Sequence, residues 1–288
     1  MRLVTFVSNG EPHIGVESPR GVVDLATAAP ALPETMLELL ADGPRALQEA
    51  RTAATRALAE GEVTPLDQVR LLAPLPRPGK ILAIGLNYRD HARETGNPIP
   101  EVPIVFSKAV TAVIGPGAAI EIPPASALID YEGELAVVIG RPAKRVSRRD
   151  ALQHVAGYTA MNDVTARDYQ ARSGHCMGKS FDTFAPMGPA LVTTDEISDP
   201  STLELRTVLS GEQVQHSTTG NLIFDVAALI EYISAGVTLE PGDVISTGTP
   251  AGVGYRRDPR RFLRPGDTVR IEIGSIGALE NPVISAPA

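Results

Sequence analysis

The sequence predicts a strand-rich α+β fold, and three observations lead to this class. Gly (26 residues) and Pro (25 residues) interrupt the chain every few positions, which favours short strands joined by turns. Residues 135–139 are continuously apolar and end at Gly140, as expected for a strand that is buried on both faces. Val269, Ile271 and Ile273 alternate with polar residues after a Pro-Gly-Asp turn, which indicates a strand with one buried face.

The first 75 residues are predicted to form a small N-terminal α/β domain. Short strands are expected over residues 3–7 and 21–25, and two short helices between residues 33 and 60. Gly43 and Pro44 separate the two helices. Prolines and a glycine then precede a new apolar run, so we place the boundary near residue 75 and the catalytic domain over residues 76–288. Further helices are expected over residues 151–155 and 224–233.

Composition argues against several classes of protein. The net charge of −8 would repel the phosphate backbone of a nucleic acid, and the absence of Trp argues against a base-stacking surface. The single cysteine, Cys176, excludes an internal disulfide and a CxxC metal site. No apolar run approaches 18 residues, and the first residues contain no continuous hydrophobic segment. We therefore expect no membrane partner and a cytoplasmic location.

Two carboxylates precede the apolar strand, and a third follows another strand. Residues two apart in a strand share a face, so Glu132 and Glu134 are expected to project side by side. On spacing alone, exposure of both to solvent on an edge strand is slightly favoured over a metal site. Asp163 ends a second apolar segment and could complete an oxygen-ligand site for Mg²⁺, Mn²⁺ or Ca²⁺, or could cap the turn that follows it.

Other stretches contain groups suited to acid–base chemistry or substrate binding. His91 and Glu94 share a helical face, so the carboxylate could orient the imidazole as a general base, although such pairs are common on surfaces. Lys179 could be a buried cation for an anionic substrate, or a solvated surface lysine. The Gly-rich segment 246–254 lacks both nucleotide-binding patterns, but Thr249 within it could donate a hydrogen bond.

Six segments together resemble the fumarylacetoacetate hydrolase family. They occur in the family's order, between about residues 80 and 285. The segments are GLNYRDHARE, DYEGELAVVIG, GYTAMNDVTARDYQ, GKSFDTFAPMGP, NLIFDVAALIEYIS and STGTPAGVG. The resemblance is to the acylpyruvase-like bacterial branch, and residues 1–75 are similar to the variable small domain of many bacterial members.

The resemblance implies a mixed β-roll catalytic domain, a homodimer and one bound Mg²⁺ or Mn²⁺. It implies metal ligands, a catalytic group and substrate contacts at positions of this chain that match the family's motifs. The implied metal ligands are Glu132, Glu134 and Asp163, the catalytic residues are His91, Glu94 and Lys179, and the substrate contacts are Arg167, Gln170 and Thr249.

The resemblance also implies chemistry on a small-molecule 2-oxo acid. The predicted reaction is metal-dependent hydrolysis of a C–C bond in an acylpyruvate-like 1,3-dicarbonyl substrate, through a metal-chelated enolate. The same site could instead serve an oxaloacetate-type decarboxylase, or an isomerase or dehydratase of 2-oxo acids. A metal-stabilised binding protein without turnover is a further alternative, against which the intact His91, Glu94 and Lys179 argue.

Overall fold

The computed structural model describes residues 1–287 and contains six α-helices and eighteen strands within them. The helices are α1 (Leu25–Ala28), α2 (Met36–Ala41), α3 (Pro44–Glu60), α4 (Arg89–Thr95), α5 (Arg167–Lys179) and α6 (Val226–Gly236). The first nine strands are β1 (Arg2–Ser8), β2 (Glu11–Ser18), β3 (Gly21–Asp24), β4 (Arg70–Leu71), β5 (Ile81–Gly85), β6 (Ile104–Lys108), β7 (Val113–Ile114), β8 (Ile120–Ile122) and β9 (Ile129–Asp130). The others are β10 (Gly133–Ile139), β11 (Val155–Asn162), β12 (Thr165–Ala166), β13 (Ala185–Thr193), β14 (Glu204–Leu209), β15 (Glu212–Thr218), β16 (Val244–Ser246), β17 (Thr268–Ile273) and β18 (Gly277–Ser285).

An eleven-stranded mixed sheet forms the centre of the molecule. Its main path runs β3-β2-β1-β13-β11-β10-β16-β5-β6, with β4 paired to β1 and β7 paired to β13. Strand β10 is antiparallel to both of its neighbours, and every one of its residues is buried. The continuous apolar run therefore forms the doubly covered strand that the sequence predicts.

A five-stranded sheet, ordered β15-β14-β17-β18-β8, packs against the central strands. Gly133 lies at this contact, where an added Cβ would be 2.3 Å from Oγ1 of Thr207 on β14. The Gly133 N–H also donates to Oε1 of Gln215 on β15 at 3.0 Å. Glycine therefore lets the start of β10 approach the second sheet closely. The mixed, strand-rich α+β fold predicted from the sequence is confirmed.

The N-terminal residues share the central sheet and its core with the rest of the chain. Strand β1 pairs with β13, with Leu3 opposite Leu191. Leu3 and Leu39 also belong to the same buried apolar cluster as Leu135. The division near residue 75 stays a prediction, and a sheet continuous across it means that the two parts share one hydrophobic core.

Several predicted elements differ in extent from the observed ones. The two helices that flank Gly43 are present, but α3 is 17 residues long, with Pro44 in its first turn and Gly61 at its C-terminus. Strand β2 was not predicted, because its ends are polar and only a few central residues are buried. Residues Ala151–His154 form a 3₁₀ turn. Within residues 1–287, no helix is long and apolar enough to cross a lipid bilayer.

Candidate active site

Three carboxylates meet where strand β10 begins and strand β11 ends. Gly133 pairs with Asn162 across the two strands, so Glu132 and Asp163 lie just beyond that pair. The Asp163 N–H donates to the Glu132 carbonyl oxygen at 2.9 Å. Glu132, Glu134 and Asp163 each present an oxygen within 4.8 Å of the other two. The antiparallel pairing thus brings together the three side chains predicted as metal ligands.

All three side chains are buried rather than solvated. Glu132 is 6% exposed, and Glu134 and Asp163 are each 1% exposed. The alternative that the two glutamates face solvent on an edge strand is therefore wrong, because β10 lies in the middle of the sheet. Ionised carboxylates this deeply buried need compensating cations or hydrogen-bond donors.

Glu134 is held by donors from the end of β16 and from the loop that follows it, but it has an unfavourable charge environment. Its Oε2 atom accepts hydrogen bonds from Ser246 Oγ at 2.5 Å and from the Gly248 N–H at 2.8 Å. Burial raises the pKa of Glu134 well above its ordinary value, and the charges of Asp163 and Glu132 raise it further. A divalent cation between these carboxylates would relieve that repulsion.

Lys179 lies at the C-terminus of α5, and its ammonium bridges two of the carboxylates. It donates to Glu132 Oε2 at 2.8 Å, to Asp163 Oδ2 at 2.6 Å and to Thr165 Oγ1 at 2.9 Å. Burial opposes its charge, but the nearby Asp163 and Glu132 raise the pKa of Lys179 above its ordinary value. Burial likewise opposes ionisation of Glu132, yet Lys179 and Arg167 hold its pKa at about 2.

A second buried lysine, Lys108, was not predicted. It is the last residue of β6, and its ammonium donates to Asp163 Oδ1 at 2.5 Å and to the carbonyl oxygens of Val164 and Lys179. Burial lowers the pKa of Lys108, which Asp163 partly offsets. A lysine at the end of the apolar segment IVFSK, two residues after Phe106, was the available sequence signal.

His91 and Glu94 form the predicted pair on α4. Nδ1 of His91 lies 2.7 Å from Oε2 of Glu94, and Oε1 of Glu94 accepts from the Gly252 N–H at 2.8 Å. With the carboxylate as acceptor, the proton is placed on Nδ1 and Nε2 keeps its lone pair. Glu94 thereby links the imidazole to the Gly-rich segment that also contains Thr249.

Arg167, at the start of α5, is bound by two acidic side chains. Its guanidinium donates to Oδ2 of Asp130 at 2.9 and 2.7 Å, and Nη2 lies 2.6 Å from Oε1 of Glu132. Nη1 of Arg167 donates to Oε1 of Gln170 at 3.2 Å, which brings the two predicted substrate contacts together. Asp130 also accepts from the N–H of Tyr255 at 3.0 Å. Sequence reasoning did not single out Asp130.

Thr249 is buried in the Gly-rich loop and already uses its hydroxyl. Its Oγ1 donates to the Gly133 carbonyl oxygen at 3.0 Å and accepts from Gln215 Nε2 at 2.8 Å. Thr249 therefore holds this loop against the start of β10, beside Glu132 and Glu134.

Seven of the nine predicted site residues line one inner cavity of about 190 Å³, whereas Glu94 and Asp163 do not line it. The predicted residues that line it are His91, Glu132, Glu134, Arg167, Gln170, Lys179 and Thr249. Phe106 and His175 also line it, with their rings 5.0 Å apart, and neither was predicted. An adjoining outer chamber of about 490 Å³ shares five lining residues with it: His91, Thr95, Arg167, Gln170 and His175. Together they form a small polar space that opens into a larger one.

The donor set fits a hard divalent cation. Mg²⁺ and Mn²⁺ prefer carboxylate oxygens, and the three acidic side chains supply only such ligands. The Lys179 ammonium already bridges Glu132 and Asp163, so the carboxylates are arranged around positive charge. Glu134 forms no salt bridge among the described residues, and burial together with the charges of Asp163 and Glu132 raises its pKa.

The fold and this carboxylate site are those of an enzyme family that acts on small molecules through an acidic, metal-binding centre. The chain belongs to the fumarylacetoacetate hydrolase family: the family model described as Fumarylacetoacetate (FAA) hydrolase C-terminal matches residues 80–284. The mitochondrial oxaloacetate tautomerase Fahd2a of Rattus norvegicus is 46% identical over 290 residues, which cover 99% of this chain and 92% of that protein.

Solved structures of related enzymes share the whole fold. Maleylpyruvate hydrolase from Sphingobium sp. SYK-6, in complex with manganese(II) and pyruvate, is 31% identical with a TM-score of 0.82 and full coverage of both chains. The 2-hydroxyhepta-2,4-diene-1,7-dioate isomerase from Mycobacterium marinum is 36% identical with a TM-score of 0.77, also with full coverage. The similarity to animal tautomerases does not support placement in an acylpyruvase-like bacterial branch, whereas the family assignment is confirmed.

Proposed function

We propose that the chain is a metal-dependent enzyme that interconverts the keto and enol forms of oxaloacetate or a related 2-oxo acid. The observation that carries this proposal is that His91, oriented by Glu94, faces the same inner cavity as Glu132 and Glu134. A general base beside a metal-binding carboxylate group suits proton removal from the carbon next to a keto group. The 46% identity to an oxaloacetate tautomerase supports this reaction.

Glu132, Glu134 and Asp163 would hold the cation, with Mg²⁺ or Mn²⁺ favoured and Ca²⁺ as the alternative. When bound, such an ion supplies Lewis-acid polarisation of the carboxylate and keto groups of a 2-oxo acid. The manganese in the maleylpyruvate hydrolase structure supports an ion of this kind.

The protein residues would bind the substrate and move its proton. In the keto-to-enol direction, Nε2 of His91 would take a proton from the carbon next to the keto group, and Glu94 would stabilise the imidazolium. The imidazolium would then return that proton to the keto oxygen, directly or through a water molecule, which gives the enol and restores neutral His91. The Lys179 ammonium would offset charge on the keto oxygen. Arg167 and Gln170 would bind the substrate carboxylate, and Thr249 would hold the loop that closes this side of the cavity.

Hydrolysis of a C–C bond in an acylpyruvate-like substrate is the second candidate reaction. It needs the same dyad, but His91 would then take its proton from water, which attacks the distal carbonyl group. The structural likeness to maleylpyruvate hydrolase favours this alternative. Decarboxylation of oxaloacetate would need protonation of the enolate but no attacking water, so the products distinguish the three reactions.

One experiment separates these reactions. Metal-stripped protein is supplied with Mg²⁺ or Mn²⁺ and then given enol-oxaloacetate or acetylpyruvate, with EDTA and His91→Ala as controls. We expect accelerated loss of the enol absorbance without pyruvate formation, and no acceleration with EDTA or His91→Ala. Pyruvate and acetate from acetylpyruvate would establish the hydrolase instead, and pyruvate and CO₂ from oxaloacetate would establish the decarboxylase.

We also propose the homodimer and the cytoplasmic location implied at the level of sequence. Sedimentation at several protein concentrations tests the first, and fractionation of the source cells tests the second. Several relatives are described as mitochondrial, so organelle fractions belong in that experiment.

A further inference from the structure

The outer chamber has apolar walls and one cation without a carboxylate partner. Leu128, Ala171 and Val253 supply apolar surface, and the ring of Tyr255 lies among them. Arg256 lines this chamber but not the inner cavity. This combination suits a hydrocarbon arm that ends in an anionic group.

The other charged groups of the chamber are already paired. Arg167 contacts both Asp130 and Glu132, and the proposed function already assigns it to the carboxylate at the 2-oxo end of the substrate. Asp168 accepts from Ser126 Oγ at 2.5 Å and lies 3.4 Å from Nη2 of Arg172. Within the described part of the chain, no carboxylate lies within salt-bridge distance of the Arg256 guanidinium.

The segment that holds Arg256 is fixed to the site. Asp130 accepts from the N–H groups of Gly254 and Tyr255 at 2.8 and 3.0 Å. The Arg256 N–H donates to the Val253 carbonyl oxygen at 3.0 Å, which closes a 3₁₀ turn. The Arg256 guanidinium lies 5.3 Å from the centre of the Tyr255 ring. Stacking of this kind restrains a guanidinium and leaves its N–H groups free to donate.

We propose that Arg256 and Tyr255 form a distal-anion subsite that selects 2-oxo dicarboxylates with an extended chain. The 2-oxo end would lie in the inner cavity, the carbon chain would cross the outer chamber, and the second carboxylate would bind the Arg256 guanidinium. This inference rests on the proposed function, because it assumes that the inner cavity binds the 2-oxo acid end.

Binding measurements on Mg²⁺-loaded protein test the subsite with a matched pair of ligands. 2-Oxoadipate and 2-oxohexanoate have the same number of carbons and differ in the terminal carboxylate, while pyruvate probes the inner cavity alone. A partly exposed ionic contact of this kind predicts that wild type binds 2-oxoadipate about 5- to 10-fold more tightly than 2-oxohexanoate. Arg256→Gln should abolish that preference and leave the affinity for pyruvate unchanged.

Arg260→Gln is the matched control variant. The Arg260 guanidinium also lies over the Tyr255 ring, at 4.6 Å, but this residue does not line the chamber, so the preference should persist. Normal pyruvate binding with no preference in wild type, or with the preference intact in Arg256→Gln, would overturn the subsite alone. Failure of pyruvate to bind metal-loaded wild type would instead overturn the proposed function, and the subsite with it.

Discussion

Each oxygen of the Asp163 carboxylate is bound by a different buried lysine: Oδ1 lies 2.5 Å from the Lys108 ammonium, and Oδ2 lies 2.6 Å from that of Lys179. The lysines come from β6 and from the end of α5, so one carboxylate joins two elements distant in sequence. Lys108 also donates to the Lys179 carbonyl oxygen. The position of Asp163 therefore depends on both lysines.

Replacing Lys108 by Met should destabilise the protein. The variant leaves a buried carboxylate with one cation fewer, which costs about 3–5 kcal/mol when such a pair is broken. Urea unfolding in EDTA measures this loss. Added Mg²⁺ should stabilise Lys108→Met more than wild type, because the ion replaces part of the missing charge.

Lys144→Met is the control for this experiment, since Lys144 is exposed. It should change the free energy of unfolding by less than about 0.5 kcal/mol. Equal stability of Lys108→Met and Lys144→Met would show that the Lys108–Asp163 contact does not support the site.

Asp130→Asn should impair substrate binding and leave metal binding intact. Asp130 holds the Arg167 guanidinium and the N–H groups of Gly254 and Tyr255, but it is not one of the three proposed metal ligands. Loss of the charge on Asp130 weakens its hydrogen bonds to the Arg167 guanidinium, which predicts a decrease of kcat/KM of about 10- to 100-fold. A matching loss of Mn²⁺ affinity, measured by calorimetry, would contradict this positioning role.

The His91–Glu94 pair should behave as one unit in a double-mutant cycle. Removing a general base costs about 100-fold or more in rate, so His91→Ala should lose at least that much. Glu94→Ala should cost less, and the double variant should be no slower than His91→Ala. The rates of enol-oxaloacetate loss provide the measurement, and additive losses would show that Glu94 acts independently of the imidazole.

Gly133→Ala should destabilise the contact between the two sheets. The added methyl group would lie 2.3 Å from Thr207 Oγ1, and overpacking of this kind costs about 1–3 kcal/mol. Thermal unfolding should show partial recovery in Gly133→Ala/Thr207→Ala, which removes the clashing hydroxyl. Gly236→Ala is the matched control, because a Cβ there meets no atom within 4 Å.

The acidic residues could be predicted from the sequence because they depend on local spacing and strand ends. Glu132 and Glu134 flank one residue at the start of an apolar strand, and Asp163 follows another. Their burial could not be predicted in this way, because it depends on which strands neighbour β10. Strand pairing determines whether these carboxylates are buried, and this pairing connects residues that are far apart in the chain.

Lys108 and Asp130 were missed for a related reason. Lys108 reaches the site because β6 pairs with β5 at the end of the sheet, and its position at the end of IVFSK does not by itself indicate that pairing. Asp130 lies in the same acidic segment as Glu132 and Glu134, but its side chain binds Arg167 and the turn at Gly254. Helix α5 was also not predicted. It is not a regular helix, because Gly174 within it has a φ of +83° and interrupts the helical conformation.

Mn²⁺ binding to metal-stripped protein is the most direct test of the proposed metal site. Calorimetry would compare wild type, Glu134→Gln and Glu121→Gln. Glu121 lies on β8, and it is not part of the carboxylate group. We expect one ion per chain in wild type and Glu121→Gln, and at least about 100-fold weaker binding in Glu134→Gln. Equal Mn²⁺ affinity of wild type and Glu134→Gln would contradict the metal site on which the proposed chemistry depends.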